Sequence, residues 1–374
     1  MTIQLGISRF LETAPTDARI GLLAHAASVV WQGGAAHHTL ELLRAKGVTL
    51  VRLFGPEHGL YGQAQAGDTV ADSSDSTGIP IVSLYGSRKA PEARHLTDLD
   101  ILLVDLQDVG ARCYTYLSTL KACLAVCAET QTRCVVLDRP NPLGRMQCGP
   151  STQADFASFV SAHPIPFIHG LTLGELAMIM AETLGAANLL AVIAMRGWQG
   201  QRWQDTGLPW VAPSPNLPRL ESAELYPATV FFEGTNLSEG RGSARPFEQF
   251  GAPWLKADAL AEAVNAQPLG VVAHPVSFTP TNSKHQGTEV HGLRLQLTDW
   301  SAYQPLELAY LLLSSSYQQN PAAFEWLKSD KRYFIDLLYG SDKLREAILA
   351  GTSLETWRKQ AEATTLKRPT LYSG

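Results

Sequence analysis

Short apolar runs alternate with one-sided helical patterns through the first half of the chain. ARIGLLAHAA, GVTLVRLFG, IPIVSLYG, DILLVDLQD and RCVVLDRP, between Ala18 and Pro140, are nearly continuous in Val, Ile and Leu. Such runs predict strands covered on both faces, whereas a half-exposed strand would alternate. Between them AHHTLELLRAKG and YLSTLKACLAVCAETQ carry apolar residues on one stripe and predict helices, with His37 and His38 on a solvated face. TLGELAMIMAETLGA adds a helix whose Thr172 and Glu175 form a capping box, and LLAVIAMRGW adds a strand. Alternating β and α elements of these lengths predict an α/β fold with a mostly parallel, doubly wound sheet.

The texture then changes. TGLPWVAPSPNLPRLESAELYP is rich in proline and has no clear period, which suits a linker or an ordered loop lining a cleft. Beyond it ATVFFEG, LGVVAHPVSFTPT and EVHGLRLQLTD predict strands, and LELAYLLLSSSYQQ and SDKLREAILAG predict helices. This reads as a second, smaller α+β domain. We place the domains at residues 1–222 and 223–374, in keeping with a 374-residue chain too long for one hydrophobic core.

Composition narrows the function. A formal net charge of −5 argues against nucleic-acid and acidic-membrane partners, which require basic surface. No 18-residue apolar stretch could span a bilayer, and MTIQLGISRFLETAPTD lacks a basic segment followed by an apolar one, so a cytoplasmic location is expected. The five cysteines, Cys113, Cys123, Cys127, Cys134 and Cys148, are odd in number and confined to one segment, which fits buried thiols in a reducing compartment. No Gly-x-Gly-x-x-Gly follows the first strand, and neither a Walker A motif nor a Gly-x-Ser-x-Gly elbow occurs.

Polar residues cluster at the carboxyl ends of the expected strands, the edge where open α/β sheets bind ligands. LFGPEHGLYG presents Glu57 and His58 directly after the second strand. VDLQDVGARCYTY brings Asp105, Asp108, Arg112, Tyr114 and Tyr116, and LDRPNP brings Asn141. A second rich segment, FFEGTNLSEGRGSARPFEQFGAPW, holds Glu233, Asn236, Glu239 and Arg241, and FTPTNSKHQGTEVHG adds Lys284 and Glu289. Trp203, Trp210, Phe232, Trp254 and Tyr85 could stack on a sugar ring. A metal site built on His58 with Asp105 or Asp108, or on His285, Glu289 and His291, matches no zinc spacing.

Eight of these blocks, in this order from about residue 19 to the C-terminus, resemble the exo-acting β-N-acetylmuramidases of glycoside hydrolase family 171. The resemblance implies a Rossmann-like first domain, a cleft shared with the second domain, and no metal or organic cofactor. It also implies release of non-reducing terminal β-1,4-linked N-acetylmuramic acid from a muropeptide or muramyl-glucosaminyl saccharide. The family's proposed catalytic glutamate falls on Glu57. The chain departs from the family pattern around His25 and at Cys148.

Glycoside hydrolysis needs an acid for the leaving oxygen and a group to stabilise or capture the oxocarbenium-like centre. Glu57 is the expected acid and His58 its support. Glu239 is the first choice for the second group, followed by Asp105 and Asp108; a substrate acetamido nucleophile is the other route. Arg241 and Arg112, then Lys284, are the expected partners for the muramic lactyl carboxylate. Tyr114, Tyr116, Asn141, Asn236 and Glu289 complete the expected binding set. A non-catalytic muropeptide-binding protein of the same fold is the alternative function.

Overall fold

The computed structural model describes residues 3–62, 64 and 71–372. Its first layer assembles in chain order from α1 (Gly6–Phe10), β1 (Ile20–Ala24), the hairpin β2 (Val29–Gln32) and β3 (Ala35–His38), and α2 (Thr39–Ala45). There follow β4 (Leu50–Gly55), β5 (Ser73–Ser74), β6 (Pro80–Ser83), β7 (Ile101–Asp105), α3 (Thr115–Thr130), β8 (Arg133–Leu137), α4 (Leu173–Thr183) and β9 (Leu190–Ile193). Seven strands form one sheet in the order β5-β6-β4-β1-β7-β8-β9, all parallel except β5. Counting the parallel strands alone, the order is 3-2-1-4-5-6, that of a Rossmann sheet.

The continuous apolar runs have a direct cause. Leu102 and Val104 of β7 enter one core beside Leu117 and Leu120 of α3, while Ile101 and Leu103 enter the opposite core with Ile7 and Leu40. Successive side chains of a strand point to opposite faces, so covering both faces demands apolar residues throughout. The capping box forms as expected: Thr172 Oγ1 accepts from Glu175 N at 3.2 Å, and Glu175 Oε2 accepts from Thr172 N at 2.9 Å.

Two local expectations are corrected. His37 and His38 lie in β3 rather than on a helix, and the His38 ring caps α2 by accepting from Leu40 N at 3.2 Å. ATVFFEG is not a strand. It ends α5 (Leu220–Thr229) and continues into a 3₁₀ turn, Val230–Gly234. Phe231 and Phe232 favour β structure in isolation, but here tertiary burial fixes the backbone, with Phe231 stacked on Phe167 and Phe232 on Phe250.

The smaller domain continues with β10 (Gln249–Ala252), α6 (Ala257–Asn265), β11 (Val271–Phe278), β12 (Val290–Leu297), α7 (Pro305–Gln319) and α8 (Phe334–Tyr339). Its sheet is antiparallel in the order β10-β12-β11, so Pro275 falls on an edge strand, where its missing N–H breaks no ladder. Among the described residues no helix is long and apolar enough to cross a membrane.

Candidate active site

β4 ends at Gly55 and turns at once. A Cβ at Gly55 would lie 2.7 Å from Leu60 N, so the bend requires glycine. Gly59 N donates to Pro56 O at 2.9 Å, closing a four-residue turn with Glu57 and His58 at its centre. His58 occupies the left-handed region at φ 72°, an unusual and costly state for a non-glycine residue that is often tied to function. Its Nδ1 lies 2.9 Å from Ala64 O. The turn therefore fixes both side chains at the edge of the sheet, and Thr115 Oγ1, at the start of α3, donates to Glu57 Oε2 at 2.6 Å.

Glu57 and His58 open into a cavity of about 350 Å³. Its walls come from both layers of the molecule. Tyr85 follows β6, Cys113, Tyr114 and Thr115 lead into α3, and Phe159 and Val160 lie in a loop that Ser118 holds by donating to Phe159 O at 2.5 Å. Ser214, Asn216 and Leu217 come from the proline-rich segment, which is an ordered loop lining the cavity. The smaller domain supplies Tyr226, Glu233, Glu239, Arg241, Phe247, Ser283, Lys284 and Phe334.

The charges on that far wall form one network. Arg241 Nε pairs with Glu239 at 2.9 Å, and an Nη2 of the same guanidinium donates to Glu233. Lys284 Nζ lies 2.8 Å from Glu239 and donates to the carbonyls of Phe232, Thr235 and Leu237 at 2.6, 2.9 and 2.8 Å. Positive φ values at Ser283 and His285, on either side of Lys284, show how tightly this loop is bent to deliver it. The two glutamates diverge in consequence. Burial works against the charge on Glu239, but Lys284 and Arg241 outweigh it and hold the carboxyl below its ordinary range. Burial raises Glu233; Arg241 opposes this and the Glu239 charge adds to it.

Of the expected site residues, Glu57, His58, Tyr114, Glu239, Arg241 and Lys284 line the cavity, and the others are committed elsewhere. Asp105, expected at the ligand edge, is fully buried in a bidentate pair with Arg139 at 2.5 and 2.9 Å and also accepts from Thr39. Asp108 accepts from Gly110 N at 2.7 Å and faces His169 at 3.1 Å. Arg112, expected on the lactyl carboxylate, donates to the carbonyls of Pro150, Ile165 and Tyr339, each within 2.6 Å, and so ties the two domains together. Tyr116 donates to Pro213 O at 2.8 Å, behind the cavity loop. Asn141 bonds Leu171 O and Leu143 N, Asn236 bonds Ala323 O and Glu325 N, and Glu289 is exposed. Of the five aromatic candidates only Tyr85 reaches the cavity; Trp203 packs on Trp210, Phe232 on Phe250 and Trp254 on Phe324.

Glu233 and Phe159 also line the cavity, though neither is among the catalytic or binding residues expected from sequence. Glu233 shares the charged segment of Glu239 and Arg241, which was its only signal; Phe159 carried none. The buried Tyr114 hydroxyl lies near Ser214 and Tyr116 but in hydrogen-bonding geometry to neither.

The comparisons agree with this architecture along nearly the whole chain. The family model described as the N-terminal part of the exo-beta-N-acetylmuramidase NamZ matches residues 20–221, and its C-terminal counterpart matches residues 224–367. The peptidoglycan beta-N-acetylmuramidase NamZ of Bacillus subtilis (strain 168) is 42% identical over 342 residues, covering 90% of this chain and 81% of the relative. Two crystal structures of DUF1343 family proteins from Bacteroides fragilis NCTC 9343 superpose on it, with TM-scores of 0.84 and 0.74 at 30% and 28% identity, each covering 96% of this chain and 94% of the other. The chain belongs to the NamZ exo-β-N-acetylmuramidase family.

Proposed function

We propose that this protein is an exo-acting glycoside hydrolase that releases N-acetylmuramic acid from the non-reducing end of β-1,4-linked peptidoglycan fragments during cell-wall turnover. The observation that carries the reading is Glu57, fixed by a strained turn and by Thr115 in the wall of a cavity of sugar dimensions. In the reaction Glu57 donates its proton to the glycosidic oxygen as the C1–O bond breaks, and the aglycone leaves as an alcohol. His58 holds the turn and faces the sugar.

The burial of the two glutamates supports a different choice for the second carboxylate. Glu239 has a side chain only 2% exposed and is enclosed by two cations, whereas the Glu233 side chain is 20% exposed and has Arg241 as its ion-pair partner. We assign Glu233 to the substrate, where it orients the acetamido group or the attacking water, and Glu239 to the network that positions Arg241 and Glu233.

Glu57→Gln tests the reading. Turnover of a muramyl-glucosaminyl disaccharide should fall about 10²–10⁴-fold, while calorimetric binding of N-acetylmuramic acid persists. The loss should be smaller on an aryl muraminide, whose leaving group needs less protonation. Disaccharide turnover within a few-fold of wild type would remove Glu57 from the acid role.

A further inference from the structure

Muramic acid differs from glucosamine by an anionic lactyl ether, so a selective cavity needs a cation whose charge is not already neutralised. The three cations expected from sequence do not meet that condition. Arg112 points away into the domain junction. All three protons of Lys284 are spent on carbonyls, and Glu239 lies against it. Arg241 is shared between Glu233 and Glu239.

Lys89 differs from all three. Its ammonium lies 3.6 Å from the ring centroid of Tyr85 and 4.7 Å from that of Phe159, and both rings are walls of the cavity. Among the described residues it makes no ion pair. An aromatic face attracts a cation through its quadrupole but carries no net charge, so the ammonium is held in place while its full charge stays available. The neighbouring Arg88 is committed to Asp72 and Glu92. The backbone explains how Lys89 comes near Glu57: β6 lies beside β4, Gly55 pairs with Ser83, and Leu84 N donates to Gly55 O at 2.8 Å. Adjacent strand ends thus deliver Glu57 on one side and the Tyr85–Lys89 turn on the other. Partial burial lowers the affinity of Lys89 for its proton and the charge of Glu57 raises it, so the two groups share one electrostatic field.

We propose that Lys89 binds the lactyl carboxylate of the substrate and sets the preference for muramic over glucosaminyl residues, an inference that rests on the muramidase reading of this cavity. The ammonium exchanges contact with two ring faces for a charge-assisted hydrogen bond to the carboxylate. Tyr85 and Phe159, which wall the cavity, hold it between turnovers.

The test compares 4-nitrophenyl β-N-acetylmuraminide with the methyl ester of its lactyl group, which keeps the shape and removes the charge. Wild-type enzyme should prefer the acid, and rising ionic strength should erode that preference. Lys89→Met should lower kcat/KM on the acid about tenfold to a hundredfold and collapse the acid-to-ester ratio, and Lys89→Arg should retain it. A proportional loss on both substrates would make Lys89 a prop for the aromatic wall, and no change on either would remove it from the site; each overturns the proposal. A wild-type protein that cleaves neither compound overturns the muramidase reading instead. In that case, titrating N-acetylmuramic acid and its methyl ester into wild type and Lys89→Met still decides the role of Lys89, because only charge recognition separates the two ligands.

Discussion

Lys284 and Tyr114 both line the cavity, yet their polar groups are satisfied to opposite degrees. The Lys284 ammonium satisfies three backbone carbonyls and one buried carboxylate, so its loss is a structural event. Lys284→Met should destabilise the protein by about 3–5 kcal/mol, the cost of leaving a buried charge without its partner, read as a fall in the urea midpoint. Tyr114 lines the cavity and contributes a buried hydroxyl that makes no hydrogen bond within the described structure. Burial raises its pKa well above the ordinary phenol value, so the hydroxyl stays protonated and available to donate. Tyr114→Phe should leave the urea midpoint unchanged or slightly higher while kcat/KM drops about tenfold, the worth of one hydrogen bond to a bound sugar. A matched loss of stability would show that the hydroxyl serves the fold instead.

Among the elements, the crevice between β1 and β7 is where a Rossmann sheet reverses its strand order and usually takes its ligand. Here side chains fill it. His25 Nε2 accepts from Gln107 N at 2.9 Å, which leaves the proton on Nδ1, facing Pro213 O at 3.3 Å and Tyr116 Oη at 3.2 Å. His25 therefore braces the loop that carries Ser214 and Asn216 into the cavity. Burial, aided by the Arg139 charge, lowers the His25 pKa to about 3. The unfolded chain binds that proton below about pH 6.5 and the native state does not, so stability rises with pH between about 3 and 6.5, by about 5 kcal/mol over the full window. His25→Asn should flatten this limb in urea titrations; an unchanged slope would mean the ring charges in place. The same crevice shows what the sequence could convey. Strands covered on both faces announce themselves as apolar runs, and Glu57 stood out because it follows one directly. Asp105 follows one too, but a carboxylate at a strand end is a ligand or half of an ion pair depending on its partner. That partner, Arg139, lies 34 positions away, at the end of β8. Lys89 and Glu233 were obscure for the converse reason, since their positions depend on how neighbouring turns fold rather than on any local period.

At the scale of the whole molecule, the chain leaves the smaller domain and returns along the larger one. Thr364 N donates to Gly149 O at 3.0 Å and Leu366 N to Gln147 Oε1 at 3.0 Å. Tyr372 then packs edge-on to Trp198 at 5.0 Å, donates to Asp138 Oδ2 at 2.5 Å and accepts from Met195 N at 3.0 Å. Asp138 sits beneath α4, where Thr172 Oγ1 and Gly174 N also donate to it. Burial outweighs these hydrogen bonds and raises its pKa to about 6. The native state therefore holds a proton that the unfolded chain releases above about pH 3.8, and stability falls as pH rises from about 4 to 6, by about 3 kcal/mol. This slope opposes that of His25 across the same range, so the wild-type profile should be flatter there than either residue alone would give. Asp138→Asn separates them: the stability of the variant relative to wild type should climb by about 3 kcal/mol between pH 4 and pH 7, whatever constant offset the amide introduces. Tyr372→Phe should move the other way, because removing one donor from the carboxylate raises its pKa further and leaves Met195 N without its acceptor. Urea unfolding of the three proteins from pH 4 to 8 decides the matter, and parallel curves for wild type and Asp138→Asn would show that the carboxyl does not titrate in this window.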